Sequence, residues 1–175
     1  MKRLWTPWRM QYLTGADKSH SEPGCVFCAK LSAPDESEHV LCRGQFAYVT
    51  LNRYPYNNGH LMVIPNTHVA SLENLDAPTL AELMQLTNRG LAALRQAYQP
   101  DGFNIGVNLG HAAGAGIAEH VHIHIVPRWS ADTNFMPIVG ETRVIPETLD
   151  QTFTRLRPLF DQISSHDTTG GIDGF

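Results

Sequence analysis

Three histidines alternate with apolar residues in one short stretch of the chain, at His120, His122 and His124. The residues between and after them are β-branched, and this alternation is typical of a β-strand with one buried face. A strand rises about 3.3 Å per residue, so the first and third histidines would stand about 13 Å apart. That separation is too large for one metal ion with bonds of about 2.0–2.1 Å. The three imidazoles are therefore expected to have separate roles, and Pro127, which lacks an N–H, is expected to end the strand.

A loop of small residues precedes the histidines, at 108–118, and it contains three glycines. Glycine allows backbone N–H groups to approach an anion closely. Imidazole is a competent nucleophile near neutral pH, since its reference pKa is about 6.5. A glycine-rich loop that leads into histidines therefore predicts a phosphate cradle facing a nucleophile.

Two cysteines form a Cys-x-x-Cys pair at Cys25 and Cys28, after a Pro-Gly turn. The pair could bind zinc, act as a redox couple or be two incidental small apolar residues. A redox pair normally opens a helix in a βαβ unit, which this sequence does not predict. Zinc would need two more ligands, and because the chain has no second Cys-x-x-Cys, histidines would have to supply them. Three cysteines in all do not indicate a disulfide framework.

Composition places the chain among ordinary soluble globular proteins. Its 175 residues suit one domain with a real core, and 42% of them are hydrophobic while 17% are charged. No apolar run approaches the 18 residues or so of a transmembrane helix, and the N-terminus lacks the apolar segment of a secretory signal. We therefore expect a cytoplasmic protein without a membrane partner. The net charge of −4 argues against a nucleic-acid partner.

The elements that must position these residues can be predicted from periodicity and turn residues. They are a strand at 46–52, a turn at 53–59, a returning strand at 60–65, a helix of about 20 residues from Asp76, a strand at 103–108, the histidine strand, and a C-terminal helix to about Phe160. Asp76 is a candidate helix cap, followed by Pro78 in the first turn. This order predicts an α+β domain with a mainly antiparallel sheet.

The long helix carries an apolar stripe that is expected to lie in the core. Its members are Leu80, Leu83, Met84, Thr87, Leu91 and Leu94. Residues 1–20 form an N-terminal arm rich in large apolar side chains, which we expect to pack on the body or on a partner subunit. The domain itself is expected at 21–160, and the polar, glycine-rich tail at 161–175 is expected to be disordered.

The run from His120 to Val126 matches the signature of the histidine triad (HIT) superfamily, in which three histidines alternate with apolar residues. The chain also resembles the bacterial branch that contains diadenosine tetraphosphate phosphorylase. The resemblance lies in the flanking stretches 108–119, 126–135 and 144–146, and in Leu4-Trp5-Thr6-Pro7 at the start. The resemblance spans about residues 3–160. It implies a HIT-like fold with one long helix and a C-terminal helix, and a homodimer.

The resemblance also implies roles for particular residues. His122 matches the family nucleophile, and His124 on the same face can donate to a phosphate oxygen. The tautomer of His122 must be fixed by an acceptor, for which we expect a backbone carbonyl in the 108–118 loop. Asn52 stands where HIT proteins hold the nucleoside ribose, and His60 begins the second strand. The anion site would be completed by Asn108 and the N–H groups near Ala115, Gly116 and Ile117.

The resemblance assigns the cysteine pair to a zinc site. In HIT proteins that keep an N-terminal Cys-x-x-Cys, a Pro-x-Thr-His turn and the first histidine of the triad complete the set. The ligands here would be Cys25, Cys28, His68 and His120. Such a closed Cys₂His₂ site is structural rather than catalytic.

The expected activity is cleavage of dinucleoside polyphosphates of the diadenosine tetraphosphate type through a nucleotidyl-histidine intermediate. Inorganic phosphate as acceptor would make the reaction phosphorolysis, and water would make it hydrolysis. The branch often has a serine at Gly116, and many HIT proteins have Ser or Thr at Ile117, so hydrolysis stays open. The alternatives are a nucleoside phosphoramidase of the Hint kind and a nucleotide-binding module with little catalysis. The sequence leaves the base preference and any need for magnesium undecided.

Overall fold

The computed structural model describes residues 24–130, 132 and 147–163. The arm at 1–20, the stretch 133–146 and the tail from 164 onward lie outside the described residues. The strands are β1 (Val40–Arg43), β2 (Ala47–Leu51), β3 (Leu61–Pro65), β4 (Gly102–Val107) and β5 (Ile123–Arg128). The helices are α1 (Val26–Ala29), α2 (Asp35–Glu38), α3 (Ala77–Tyr98) and α4 (Leu149–Gln162), with 3₁₀ turns at Leu72–Asn74 and His111–Ala113.

All strand pairs of the described sheet are antiparallel, in the order β1-β2-β3-β5-β4. The predicted α+β class, with a mainly antiparallel sheet, is confirmed. Alternate residues of β2 and β3 enter two separate cores. One core lies between the sheet and helices α3 and α4. The second lies on the opposite face and consists of Phe27, Val40, Tyr48, Met62 and Ile64.

The predicted hairpin is present as β2 and β3, paired along their whole length. Its turn contains Gly59 at φ +73°, where a Cβ would also come within 2.8 Å of Leu94, so glycine is required there. Asn57 fastens the turn to the end of β5, because its Nδ2 donates to the carbonyl of Pro127 at 3.0 Å and to Asp132 at 2.9 Å.

Helix α3 begins as predicted, with the Asp76 carboxylate accepting the Thr79 N–H at 3.0 Å. The predicted stripe is only partly correct, since Leu80 and Met84 are exposed, Met84 by 54%. The helix buries Thr79, Leu83, Leu86, Thr87, Gly90, Ala93 and Leu94. The small residues in this set explain the difference, because they let the helix lie close to the sheet. A Cβ at Gly90 would stand 3.2 Å from side chains of β3 and β5.

The histidine strand starts later than predicted. β5 begins at Ile123, so His120 and His122 precede the strand and only His124 lies within it. The physical reason is Pro65, which ends β3 opposite Val121 and has no N–H for the ladder. The Val121 N–H donates instead to the carbonyl of Val69 at 2.7 Å.

Pro127 does not end β5, contrary to the prediction. Pairing with β3 stops at Ile125, but pairing with β4 continues through Pro127 to Arg128. The Pro127 carbonyl accepts from the hairpin turn, so the side of the backbone without an N–H faces the turn that precedes β3, where no ladder partner is needed.

Helix α4 is the predicted C-terminal helix, and it begins directly after Thr148. Thr148 and Gln151 form a capping box, and the helix runs to Gln162, two residues past the expected end. None of the helices in the described part of the chain is long and apolar enough to cross a lipid bilayer.

Candidate active site

The histidines lie on the face of the sheet opposite α3 and α4. Residues of β5 alternate, so that Ile123 and Ile125 enter the larger core while His124 points to the other face. The ring of His122 lies 4.7 Å from that of His124, centroid to centroid. The same face carries the short helix α1 and with it the cysteine pair.

Four possible metal ligands converge beside the histidines. The ligand atoms of Cys25, Cys28, His68 and His120 all lie within 4.8 Å of one another. Individual Sγ to Nδ1 distances are 3.3 Å for Cys25 and His120, and 3.2 Å for Cys28 and His68. Bonds of about 2.3 Å to sulfur and about 2.1 Å to nitrogen in a tetrahedral site would separate S from N by about 3.6 Å. The cluster is therefore of the right size to hold one metal ion.

The buried His120 ring is oriented for this role. Its Nε2 lies 2.8 Å from the carbonyl of Pro65, so Nε2–H donates and the lone pair of Nδ1 faces the cysteines. A carbonyl on the far nitrogen is the usual way in which a metal-binding histidine is held. Burial lowers the pKa of His120, which favours the neutral form that a metal requires.

The buried His122 presents its lone pair on Nε2. Its Nδ1 lies 2.9 Å from the backbone carbonyl of His120, which fixes the proton on Nδ1. The expected acceptor in the 108–118 loop is therefore wrong; the acceptor is the carbonyl two residues upstream. Burial also lowers the pKa of His122, so that the imidazole is neutral at pH 7. A neutral imidazole with an oriented lone pair can attack an electrophilic phosphorus.

His60 and His124 form a chain of hydrogen bonds with a defined direction. The Tyr56 N–H donates to Nδ1 of His60 at 3.0 Å, so the proton of a neutral His60 resides on Nε2. Nε2 of His60 lies 3.0 Å from Nδ1 of His124, to which it donates. Burial lowers the pKa of His60 to about 3, with smaller contributions from the neighbouring histidines, so His60 is neutral. The chain leaves the proton of a neutral His124 on Nε2, where it is a donor.

Asn52 lies at the start of the hairpin turn, next to this chain. Its Oδ1 accepts the Tyr54 N–H at 2.9 Å, which fixes the orientation of the amide. Nδ2 then faces Nε2 of His60 at 3.4 Å. Because both nitrogens carry hydrogens, this contact is not a hydrogen bond. An N–H of Asn52 can therefore donate to a ligand oxygen, while the other end of the amide caps the turn.

The glycine-rich loop folds as a short 3₁₀ turn between Gly110 at φ +76° and Gly114 at φ +88°. Ala115 is buried, whereas Gly116 is exposed. Ile117 packs against the second core, and Phe27 of that core touches the His122 ring, so the loop lies close to the proposed nucleophile. Within the described residues, the N–H groups of Gly116 and Ile117 donate to no backbone carbonyl. Backbone N–H groups in such a glycine-rich turn are of the kind that can donate to an anion.

Two residues near the site were not predicted from the sequence. Phe27, between the cysteines, packs edge-on against the rings of His120 and His122 at 5.5 and 4.9 Å. Tyr56 stacks on His60 at 4.8 Å and donates the N–H that sets its tautomer. The apolar residue between the two cysteines of the Cys-x-x-Cys pair was a signal for the first. No pattern in the turn identified the second.

Comparisons with known proteins agree with this arrangement. The HIT domain model matches residues 34–131, which include the triad. The chain is 44% identical over 157 residues to a protein of Mycobacterium tuberculosis named AP-4-A phosphorylase, an alignment that covers 87% of this chain and 80% of that protein.

Two solved structures have the same fold. A zinc-bound histidine triad family protein from Mycobacterium smegmatis superimposes with a TM-score of 0.64 at 31% identity, over 79% of this chain and 94% of that one. A histidine triad nucleotide-binding protein from Sulfolobus tokodaii does so with a TM-score of 0.63 at 25% identity, over 79% and 93% of the two chains.

Proposed function

The chain belongs to the histidine triad (HIT) family, and from this we propose that it cleaves dinucleoside polyphosphates of the diadenosine tetraphosphate type through a nucleotidyl group carried on His122. The observation that carries the proposal is the pairing of an unprotonated Nε2 on His122 with a donor Nε2–H on His124. The name of the M. tuberculosis relative supports the substrate class.

In the first step, Nε2 of His122 attacks the α-phosphorus. The P–N bond forms as the bond to the bridging oxygen breaks, and ATP leaves from diadenosine tetraphosphate. The imidazole then carries positive charge, which the His120 carbonyl stabilises through the hydrogen bond from Nδ1. Donors for the substrate oxygens come from His124, the amide of Asn52 and the N–H groups of the glycine-rich loop. Asn108 lies at the start of that loop.

In the second step, an acceptor attacks the same phosphorus and His122 leaves. We propose inorganic phosphate as the acceptor, which gives ADP, because the relative that supports the substrate class is named a phosphorylase. Water as acceptor would give AMP, and the loop has no hydroxyl at Gly116 or Ile117 to bind a phosphate acceptor.

The test is to incubate the purified protein with diadenosine tetraphosphate, with and without inorganic phosphate, and to separate the products. ADP plus ATP formed only with phosphate would support phosphorolysis. AMP plus ATP without phosphate would replace it with hydrolysis. No turnover in either tube would overturn the proposal, and an adenosine phosphoramidate would be the next substrate to test.

We further propose that the metal of the cysteine–histidine cluster is zinc. Two thiolates and two imidazoles in a closed tetrahedral set suit Zn²⁺, and the M. smegmatis neighbour is described as zinc-bound. Metal analysis of the purified protein should give about one zinc per chain, and a Cys28→Ser variant should lose it. Another metal, or none, would contradict this assignment.

A homodimer is also proposed. The β4 edge of the sheet has three exposed residues in succession, at 104–106. Two large apolar side chains there are solvent-exposed, Ile105 by 49% and Leu109 by 43%. An open edge with apolar side chains is a natural surface for pairing with a second chain.

A further inference from the structure

The segment that carries His122 is not held by the sheet. β5 begins one residue later, at Ile123, so no strand pairing fixes the backbone of 120–122. Three other contacts hold it. The His120 ring lies among the cysteines, its Nε2–H donates to the Pro65 carbonyl, and the Val121 N–H donates to the carbonyl of Val69, directly after His68. All three contacts therefore involve the proposed metal ligands His68 and His120 or their immediate neighbours.

His120 joins the metal cluster to the proposed nucleophile directly. Its Nδ1 lies 3.3 Å from Sγ of Cys25, and its carbonyl oxygen accepts the Nδ1–H of His122 at 2.9 Å. The same residue is thus a metal ligand through its side chain and the partner of His122 through its backbone. A rotation of His120 away from the cysteines would move the acceptor that fixes the His122 tautomer.

Phe27 provides a second connection. It lies between Cys25 and Cys28, is only 3% exposed, and packs edge-on against the rings of both His120 and His122. Its carbonyl accepts the hydroxyl of Tyr48 on β2 at 2.8 Å, which anchors the loop to the sheet. The ring therefore supports the back of His122 only while the cysteine loop stays in place.

We propose that the cysteine loop and its metal position His122, and that Phe27 and the carbonyl of His120 transmit this effect. Phe27 and His120 are positioning residues in this scheme, since neither needs to touch the substrate. The inference uses the proposed function only for its kinetic consequence. Loss of the metal should leave the sheet and its two long helices folded, but it should release the ring of His122 from its single orientation and tautomer.

The first test observes His122 directly and needs no substrate. In full-length protein labelled with ¹⁵N-histidine, the ring nitrogens are followed by two-bond ¹H–¹⁵N correlation at pH 8, zinc-loaded and after chelation. We expect one tautomer with the proton on Nδ1 when zinc is present, a mixture after chelation, and recovery when Zn²⁺ is restored. An unchanged tautomer after chelation would overturn the inference. Loss of all the folded histidine amide signals after chelation would overturn it too, because the metal would then hold the entire fold.

The second test separates Phe27 from the metal. Phe27→Leu should keep one zinc per chain and lower kcat for diadenosine tetraphosphate by about tenfold or more, with KM within about twofold, because misplacing a reacting group lowers the rate of the chemical step. The matched control is Val26→Ala, at the neighbouring position, whose side chain is exposed. The His122 tautomer should be mixed in Phe27→Leu and single in the control. Equal kcat and equal tautomers in the two variants would refute the role of Phe27.

The two kinds of failure can be told apart. If the wild-type chain does not cleave diadenosine tetraphosphate, the proposed function fails, but the ring spectra still decide whether the metal positions His122. If cleavage occurs and the spectra do not respond to chelation or to Phe27→Leu, the positioning role fails alone.

Discussion

The three histidines of this site differ in which ring nitrogen makes a hydrogen bond to the protein, and this difference determines the chemistry for which each is suited. His120 uses Nε2 for a carbonyl and points Nδ1 at the cysteines. His122 uses Nδ1 for a carbonyl and keeps the lone pair of Nε2. His124 accepts at Nδ1 and carries a proton on Nε2. Three residues of one type, two positions apart, are thus suited to be a ligand, a nucleophile and a donor.

Removal of the His122 imidazole should abolish turnover. We expect His122→Ala to lower kcat for diadenosine tetraphosphate by about 10³-fold or more, because the proposed mechanism assigns the nucleotidyl intermediate to this imidazole alone. His39→Ala is the matched control, since His39 pairs with Asp150 on α4 and takes no part in the site. Steady-state kinetics and circular dichroism on both variants check the prediction. Activity of His122→Ala within tenfold of the control would contradict it.

His60 should make the folded state sensitive to acid. Its pKa is about 3 in the folded chain and about 6.5 when unfolded, so between these values the unfolded chain binds a proton that the folded chain does not. The free energy of unfolding should therefore fall as the pH drops below 6.5, by up to about 1.4 kcal/mol per pH unit from this residue.

A His60→Gln variant isolates this contribution. Urea unfolding between pH 6.5 and 4.5 should show a shallower pH dependence in His60→Gln than in wild type. Because the variant keeps all four proposed metal ligands, any loss of metal in acid should affect both proteins alike. His39→Gln controls for the removal of any histidine. Parallel slopes for His60→Gln and wild type would show that His60 is not the sensitive group.

Among the secondary-structure elements, those with local signals could be predicted and those set by long-range contacts could not. Asp76 and the apolar spacing marked α3, and the Pro-Asn-Gly turn marked the β2–β3 hairpin. Strand β1 carries no such signal, because it forms only by pairing with β2. The start of β5 depends on Pro65, 58 residues away from Ile123 in the chain, so periodicity alone placed it three residues too early.

The site shows the same division. The spacing of the cysteines and of the three histidines identified Cys25, Cys28 and His120, and the family resemblance added His68; the fold brings these four residues together. The donor–acceptor pattern could not be predicted, because Tyr56, Pro65 and the His120 backbone act through main-chain groups that every residue has. Sequence motifs specify which side chains are present, whereas tautomers follow from the path of the backbone.

The connection between β1 and β2 should depend on Glu82 of α3. Its carboxylate accepts the N–H groups of Gln45 and Ala47 at 2.8 Å each, and that of Phe46 as well. We expect Glu82→Ala to lower the free energy of unfolding by about 2 kcal/mol, since three donors lose a charged acceptor. Urea denaturation measures this loss of unfolding free energy. The control is Gln85→Ala, at an exposed position three residues further along α3. Equal losses for both variants would rule out this role.

For the whole molecule, the two edges of the sheet differ. The β1 edge is covered, because Nη1 of Arg157 on α4 donates to the carbonyls of Val40 and Leu41 at 3.2 and 2.8 Å. The β4 edge has no such cover among the described residues. A protein with one open edge is expected to pair through it or to aggregate.

A charge on the open edge should therefore separate the subunits. Wild-type protein should sediment at twice the chain mass of 19.4 kDa, and Ile105→Glu should sediment at the monomer mass. Met84→Glu is the control, because Met84 is similarly exposed but lies on α3. Sedimentation velocity at micromolar concentration distinguishes the two masses. A monomeric wild type, or a dimer dissociated only by Met84→Glu, would contradict the use of this edge.

The hydrogen-bond chain that ends at the Tyr56 amide has a consequence for the acceptor of the nucleotidyl group. A backbone N–H does not give up its proton, so His60 cannot pass one along, and Nε2 of a neutral His124 can donate but not accept. In the proposed second step His124 would therefore not serve as a general base, and an incoming molecule that already carries negative charge would be favoured. Phosphate is an anion at neutral pH and water is not. In the proposed reaction, the direction of one amide N–H in a turn would thus favour phosphate over water as the second substrate.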